Sequence, residues 1–170
     1  VGNYGGAWQE QKKEFNAFSG ALLATTNCVL IPPENTYRDR LFTIGITGVS
    51  GATHLKNRDF KVLIEKAKFL PPLPETPGKK IWTGFHHTSV LGLADKIVSA
   101  VTAGKIKHFF LIGGCDGAKP GRNYYTEFAE RVPQDCIILT LACGKYRFNK
   151  LDFGDIQGVP RLIDLGQCNN

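Results

Sequence analysis

The chain has 170 residues, 42% of them apolar, which is enough to bury one sizeable core and predicts a single compact α/β domain over residues 1–170. Its formal charge of +6 comes from 21 Lys and Arg scattered among 15 Asp and Glu, an ordinary solvated surface that argues against nucleic acid as a partner. No apolar run reaches bilayer length, the start Val1-Gly2-Asn3-Tyr4 shows neither a basic nor an apolar leader region, and five cysteines without close pairing argue against a disulfide framework, so no membrane partner and a reducing, cytoplasmic setting are expected.

Residues 8–18 predict a surface helix, with Trp8, Phe15 and Phe18 set among charged neighbours ahead of Gly20. The run Ala21-Leu22-Leu23-Ala24-Thr25-Thr26 predicts a short buried strand ending at Asn27-Cys28, and Pro32-Pro33 block regular continuation. A second strand is expected over residues 41–46. Residues 59–69 then predict an amphipathic helix carrying Phe60, Leu63, Ile64 and Ala67 on one face, stopped by the proline-rich stretch 71–77.

A strand is expected over 80–85, a helix over 89–103 closed by Gly104, and a strongly apolar strand over 107–112 that runs into Gly113-Gly114-Cys115-Asp116-Gly117. A helix over 123–132 and a strand over 136–142 follow, the latter running directly into Cys143-Gly144. A last strand over 161–165 leads to Gly166-Gln167-Cys168. Strands alternating with helical crossovers imply a doubly wound, mostly parallel sheet flanked by helices, Rossmann-like in architecture.

In such a sheet every strand points its C-terminal end at the same edge, where sites form. Cys28, Cys115, Cys143 and Cys168 each follow a predicted strand and are placed at that edge. Cys136 opens its strand, so it is placed at the opposite edge as a buried small hydrophobe. Thiolates brought together repel and oxidise unless a metal neutralises them. No Cys-x-x-Cys knuckle is present, which disfavours a zinc ribbon, whereas iron–sulfur clusters accept widely spaced thiolates. Spacing alone leaves open that several of these cysteines merely fill a core.

Other readings compete for the same edge. The glycine-rich loop 113–121 could cradle an anion or nucleotide at a helix N-terminus, although it matches neither dinucleotide nor P-loop spacing. His86-His87 project in different directions and suit surface or structural roles, as do His54 and His108. Asp116 suits a turn, Tyr124 and Tyr125 suit packing, and Tyr146, Arg147 and Lys150 suit either a salt-bridged surface or, being near Cys143, its support. No residue stands out as catalytic.

Three stretches together are specific: Gly113-Gly114-Cys115-Asp116-Gly117, the run from Leu139 through Cys143-Gly144-Lys145-Tyr146-Arg147-Phe148 to Leu151, and Gly166-Gln167-Cys168-Asn169. With Thr25-Thr26-Asn27-Cys28, Gly2-Asn3-Tyr4-Gly5 and Ala7-Trp8, they resemble the hybrid cluster proteins, the hydroxylamine reductase or prismane family, over nearly the whole chain. The carbon monoxide dehydrogenase group is similar in fold but fits the Cys143 stretch less well.

That resemblance implies a four-iron hybrid cluster with mixed sulfide and oxo bridges, held by four Cys, two Glu and one His. Cys28, Cys115, Cys143 and Cys168 match the four cysteines, and Cys115 matches the one that carries an extra sulfur when oxidised. Asn27 and Trp8 match positions lining the substrate cavity. The implied reaction is reduction of hydroxylamine to ammonia, with nitric oxide as a second substrate, using an electron-donor protein and the remaining domains of a longer chain. The His, both Glu and the family's second-cluster cysteine motif are not matched within residues 1–170, which implies that this segment alone is inactive and mostly iron-free.

Overall fold

The structure, a computed structural model, describes residues 6–25, 28–78, 80–82 and 84–168. The chain divides into two compact units, one of residues 8–78 and one built mainly from residues 80–168 together with Ala7. Both are α/β with parallel strands flanked by helices, the class that strand and helix alternation predicts. The parallel strands are shared between two three-stranded sheets, one in each unit.

In the unit of residues 8–78, a short 3-10 turn at Trp8–Glu10 leads into α1, Gln11–Ala17. Strands β1 (Leu22–Ala24), β2 (Leu41–Ile44) and β3 (Thr53–Leu55) then pair in parallel in that order, with Leu22 beside Leu41 and Phe42 beside Thr53. Leu22, Tyr37 and Leu41 form the core, and Phe15 of α1 packs edge-on against Tyr37 at 5.5 Å between ring centres. The Arg40 guanidinium donates to the carbonyls of Phe15 (2.8 Å) and Gly20 (2.9 Å), which fastens the end of α1 to the sheet.

β3 escapes sequence reading because Thr-His-Leu is too short and too polar to show a period of two. Helix α2, Lys61–Phe69, forms within the predicted bounds, but none of its residues is buried. Its apolar residues Val62, Ile64 and Phe69 are exposed.

In the second unit, α3 (His87–Leu91) and α4 (Ala94–Thr102) precede β4, His108–Gly113. Next come α5 (Tyr124–Arg131), β5 (Cys136–Leu141), a 3-10 turn at Cys143–Arg147, the hairpin strands β6 (Asp155–Ile156) and β7 (Val159–Pro160), and β8 (Leu162–Asp164). The sheet order is β4-β5-β8, all parallel, with Gly113 beside Leu141 and Thr140 beside Asp164.

The central strand alternates between two cores, as a parallel strand covered on both faces must. Cys136 and Ile138 pack with Ile112, Ala129, Val132 and Phe148, while Ile137 packs with Ala100, Ile106, Val159 and Ile163. At the N-terminal end of β5, buried Arg161 donates to the carbonyls of Cys136 (3.1 Å), Val132 (3.2 Å), Pro133 (2.8 Å) and Phe153 (2.9 Å) and to the Gln134 side chain (2.8 Å). It binds that end of the sheet to the C-terminus of α5 without any carboxylate.

Two expectations are corrected and one element is added. The described residues of the expected 80–85 strand, 80–82, 84 and 85, carry no strand: Gly84 turns the backbone to φ +65°, and Phe85 makes one ladder-like bond, its N–H to the Asp164 carbonyl at 2.6 Å. The helix over 89–103 is two helices, because the chain turns at Gly92-Leu93 between α3 and α4. The β6–β7 hairpin is additional. Its Gln157-Gly158 turn has φ of 53° and 78°, the left-handed pair a tight hairpin needs, but Gln-Gly is a weaker sequence signal than Asn-Gly.

Candidate metal centre

Parallel pairing gives β4, β5 and β8 a common C-terminal edge, and each runs into a cysteine-bearing loop there. Cys115 lies two residues past Gly113, Cys143 two past Leu141, and Cys168 four past Asp164. Cys115 and Cys168 are exposed, Cys143 is buried, and no disulfide involves them. The edge argument therefore brings three of the four predicted residues to one rim of one sheet. Cys28 follows β1 at the C-terminal end of the other unit's sheet, exposed and with φ +64°. Its carbonyl accepts the buried Gln11 amide at 2.9 Å, and the same amide's oxygen accepts the Leu30 N–H at 2.8 Å, so the loop after β1 is pinned to α1.

The three loops of the second unit are fastened to one another. The Gly144 N–H donates to the Gly114 carbonyl at 2.7 Å, joining the Cys143 turn to the Cys115 loop. Gly117 lies so close to that turn that a Cβ on it would sit 2.1 Å from the Cys143 carbonyl oxygen and 2.5 Å from the Ala7 Cβ. Only glycine fits there. The Ala142 N–H donates to the Gly166 carbonyl at 3.0 Å and carries the β5–β8 ladder toward Cys168.

Side chains make the same connections. Lys145, 3% exposed, donates to both carboxylate oxygens of Asp164 (3.0 and 2.9 Å) and to the Gly166 carbonyl (3.3 Å). Asp164, 1% exposed, also accepts the Gly166 N–H at 2.8 Å. Arg147 reaches from the Cys143 turn to the Cys115 loop, binding the Asp116 carboxylate (2.6 Å) and the carbonyls of Asp116 (3.2 Å) and Lys119 (2.8 Å). The Gln167 amide donates to the Tyr146 hydroxyl at 3.1 Å.

Electrostatics follow from these partners. The Arg147 guanidinium, aided by Arg122, holds the Asp116 carboxyl below its ordinary range. Asp116 thus serves as an ion-pair bridge between Arg147 and Arg122, and Arg147 supports the Cys115 loop directly. Burial, reinforced by neighbouring Asp135, pushes the Cys136 thiol up. Cys136 is the first residue of β5 and 1% exposed, as its place at the opposite edge requires.

The backbone before Cys143 is strained, since Ala142 adopts φ 61°, ψ −162°, a region that glycine almost alone visits. Elsewhere, His86 caps α3 by accepting from the Thr88 N–H, His54 Nδ1 hydrogen-bonds Thr43 at 3.0 Å, and His108 starts β4, so none joins a cluster of ligands. Trp8 is half-buried in the first 3-10 turn, and Asn27 lies outside the described residues. Among the described residues, no three His, Cys, Asp or Glu side chains converge closely enough to hold a single ion. No described helix is long and apolar enough to cross a membrane.

The Lys145–Asp164 pair is the element that sequence reading misses. Its members stand 19 residues apart on a 3-10 turn and a strand end, and no local pattern links such positions.

Residues 1–170 match the model of the Prismane/CO dehydrogenase family along their entire length. The chain belongs to that family. It is 70% identical over 170 residues to a hydroxylamine reductase of Moorella thermoacetica, covering all of this chain and 40% of that protein. It is 63% identical to a hydroxylamine reductase of Geobacter metallireducens and 57% identical to one of Burkholderia lata, each time covering 31% of the relative. The chain therefore spans between 31% and 40% of the length of these relatives.

Proposed function

We propose that this chain is the part of a hydroxylamine reductase that supplies four thiolates, Cys28, Cys115, Cys143 and Cys168, to a hybrid iron–sulfur–oxygen cluster. The observation that carries this reading is the fastening of the Cys115, Cys143 and Cys168 loops to one another at a single sheet edge, through Gly144, Lys145 and Arg147. Isolated core cysteines have no use for such cross-bracing.

The donor chemistry supports an iron–sulfur assembly. Soft thiolates set on separate strand ends suit a group several atoms across better than a lone ion. Glycine at positions 117 and 144 supports the same reading, because the missing side chains let the Cys115 loop and the Cys143 turn lie against each other. When bound, the cluster would supply the two electrons that, with two protons, convert hydroxylamine to ammonia and water.

The work of this segment's own residues would be to hold thiols in register, exclude disorder from their loops and keep Cys143 away from bulk water. The names of the relatives support hydroxylamine as substrate over carbon monoxide chemistry. An electron-donor protein, the remaining domains of a longer chain and a cytoplasmic location complete the reading.

Anaerobic treatment of residues 1–170 with iron and sulfide, followed by iron analysis and a hydroxylamine assay, tests the division of labour. Little iron and no turnover are expected, and sustained turnover by the segment would overturn it. A longer protein carrying the segment should purify brown with iron and sulfide; a colourless protein stabilised by nucleotide would point instead to an anion-binding module.

A further inference from the structure

We propose that Lys145 and Asp164 act as a positioning pair that sets the Cys143 turn against the Cys168 loop. Lys145 sits two residues past Cys143, Asp164 ends the strand that leads to Cys168, and both are buried. The ammonium spends its three donors on the two Asp164 oxygens and the Gly166 carbonyl, and Asp164 takes the Gly166 N–H in return. Gly166 is therefore gripped from both sides, and its carbonyl also accepts the Ala142 N–H. Every bond in this set crosses between, or lies within, the two cysteine-bearing segments.

A buried ion pair is a poor device for stability alone. Desolvating two charges consumes most of what their attraction returns, and an apolar pair of similar volume often serves equally well. What an apolar pair cannot do is fix direction. The ion pair with its fork of hydrogen bonds specifies one relative placement of turn and loop, whereas Met and Leu would fill the same space in several. The inference deepens the proposed function, since it rests on Cys143 and Cys168 serving one metal assembly.

The test uses the chain of 170 residues with Lys145→Met, Asp164→Leu and the double variant. Each single variant strands one buried charge and should melt well below the wild type, while the double variant should recover most of that loss. Two local readouts then separate positioning from stability. Amide hydrogen exchange should run at least about tenfold faster at Ala142 and Gly166 in the double variant, with Ile138 in the ladder interior unchanged. Dibromobimane, which fluoresces on bridging two neighbouring thiols, should join Cys143 to Cys168 in the wild type, as identified by peptide mass, and lose that product in the double variant.

Unchanged exchange at Ala142 and Gly166 in a recovered double variant would overturn the positioning role. So would bridging at the wild-type rate. If the wild type forms no bridge under conditions in which iodoacetamide modifies both Cys143 and Cys168, the two thiols are not neighbours; the shared-assembly reading then fails, and with it the purpose assigned to the pair.

Discussion

Replacing Gly117 by Ala tests how tightly the Cys115 loop is pressed against the Cys143 turn. The added Cβ would lie 2.1 Å from the Cys143 carbonyl oxygen and 2.5 Å from the Ala7 Cβ. An ordinary C···O contact is about 3.3 Å, so the loop has to retreat by roughly 1.2 Å. Neither obstacle can swing aside, because one is backbone and the other a methyl fixed to it. Retreat also stretches the 2.7 Å bond from Gly144 to Gly114. Overpacking a well-filled site costs about 1–3 kcal/mol, and two rigid obstacles place this one near about 3 kcal/mol.

For a unit of this size each kcal/mol lowers the midpoint by roughly 4–8 °C, so a fall of at least about 12 °C is expected in a melt followed by circular dichroism. Gly144→Ala is the control, since its Cβ would meet the Gly114 carbonyl oxygen at a tolerable 3.3 Å and should cost under about 1 kcal/mol. A Gly117→Ala protein melting within about 2 °C of the wild type would refute the close apposition of the two loops.

Ala142→Gly should be neutral or stabilising by up to about 1 kcal/mol in urea unfolding, because relief of backbone strain opposes the extra entropy of glycine, whereas Ala142→Val should destabilise. Arg161→Met removes the donors of four buried or half-buried carbonyls and should cost at least about 3 kcal/mol by the same measurement. Asp116 has a depressed folded-state pKa, so its contribution is present above the unfolded carboxylate value and fades as pH falls through the lower folded value; Asp116→Asn should flatten that part of the acid-side stability curve. Cys136 has a raised folded-state pKa, so its contribution is complete below the unfolded thiol value and is lost as pH rises from there through the folded value, a decline that Cys136→Ala should remove. Iodoacetamide at neutral pH should modify Cys28, Cys115 and Cys168 before Cys136 and Cys143, with peptide mass spectrometry giving the order.

The parts of this fold that show in the sequence are those governed by long apolar periods. β4, β5 and α5 fall close to their expected bounds because Phe109 to Ile112 and Ile137 to Leu139 are unbroken apolar runs and the helix has a clear stripe. Short elements set by pairing partners are silent: β3 exists because β2 offers it a ladder, and the β6–β7 hairpin because Gln157 and Gly158 accept left-handed backbone.

Cysteine positions relative to strand ends are legible, which is why Cys115, Cys143 and Cys168 fall at one rim and Cys136 at the other. The division of parallel strands into two sheets is not legible. Strand direction and alternation are the same whether strands share a sheet or not, so the count of thiols at a shared edge could not be read from Cys28 onward. The cross-bracing by Lys145, Asp164 and Arg147 was hidden for a related reason, since side-chain pairs between distant loops leave no local pattern.

The most direct test of the thiolate proposal is iron-edge anomalous diffraction from crystals of a longer protein that carries this segment, grown without oxygen. One multi-iron peak bonded to the sulfurs of Cys28, Cys115, Cys143 and Cys168 is the predicted result. Iron bound away from these four sulfurs, or none in a protein that still reduces hydroxylamine, would contradict it.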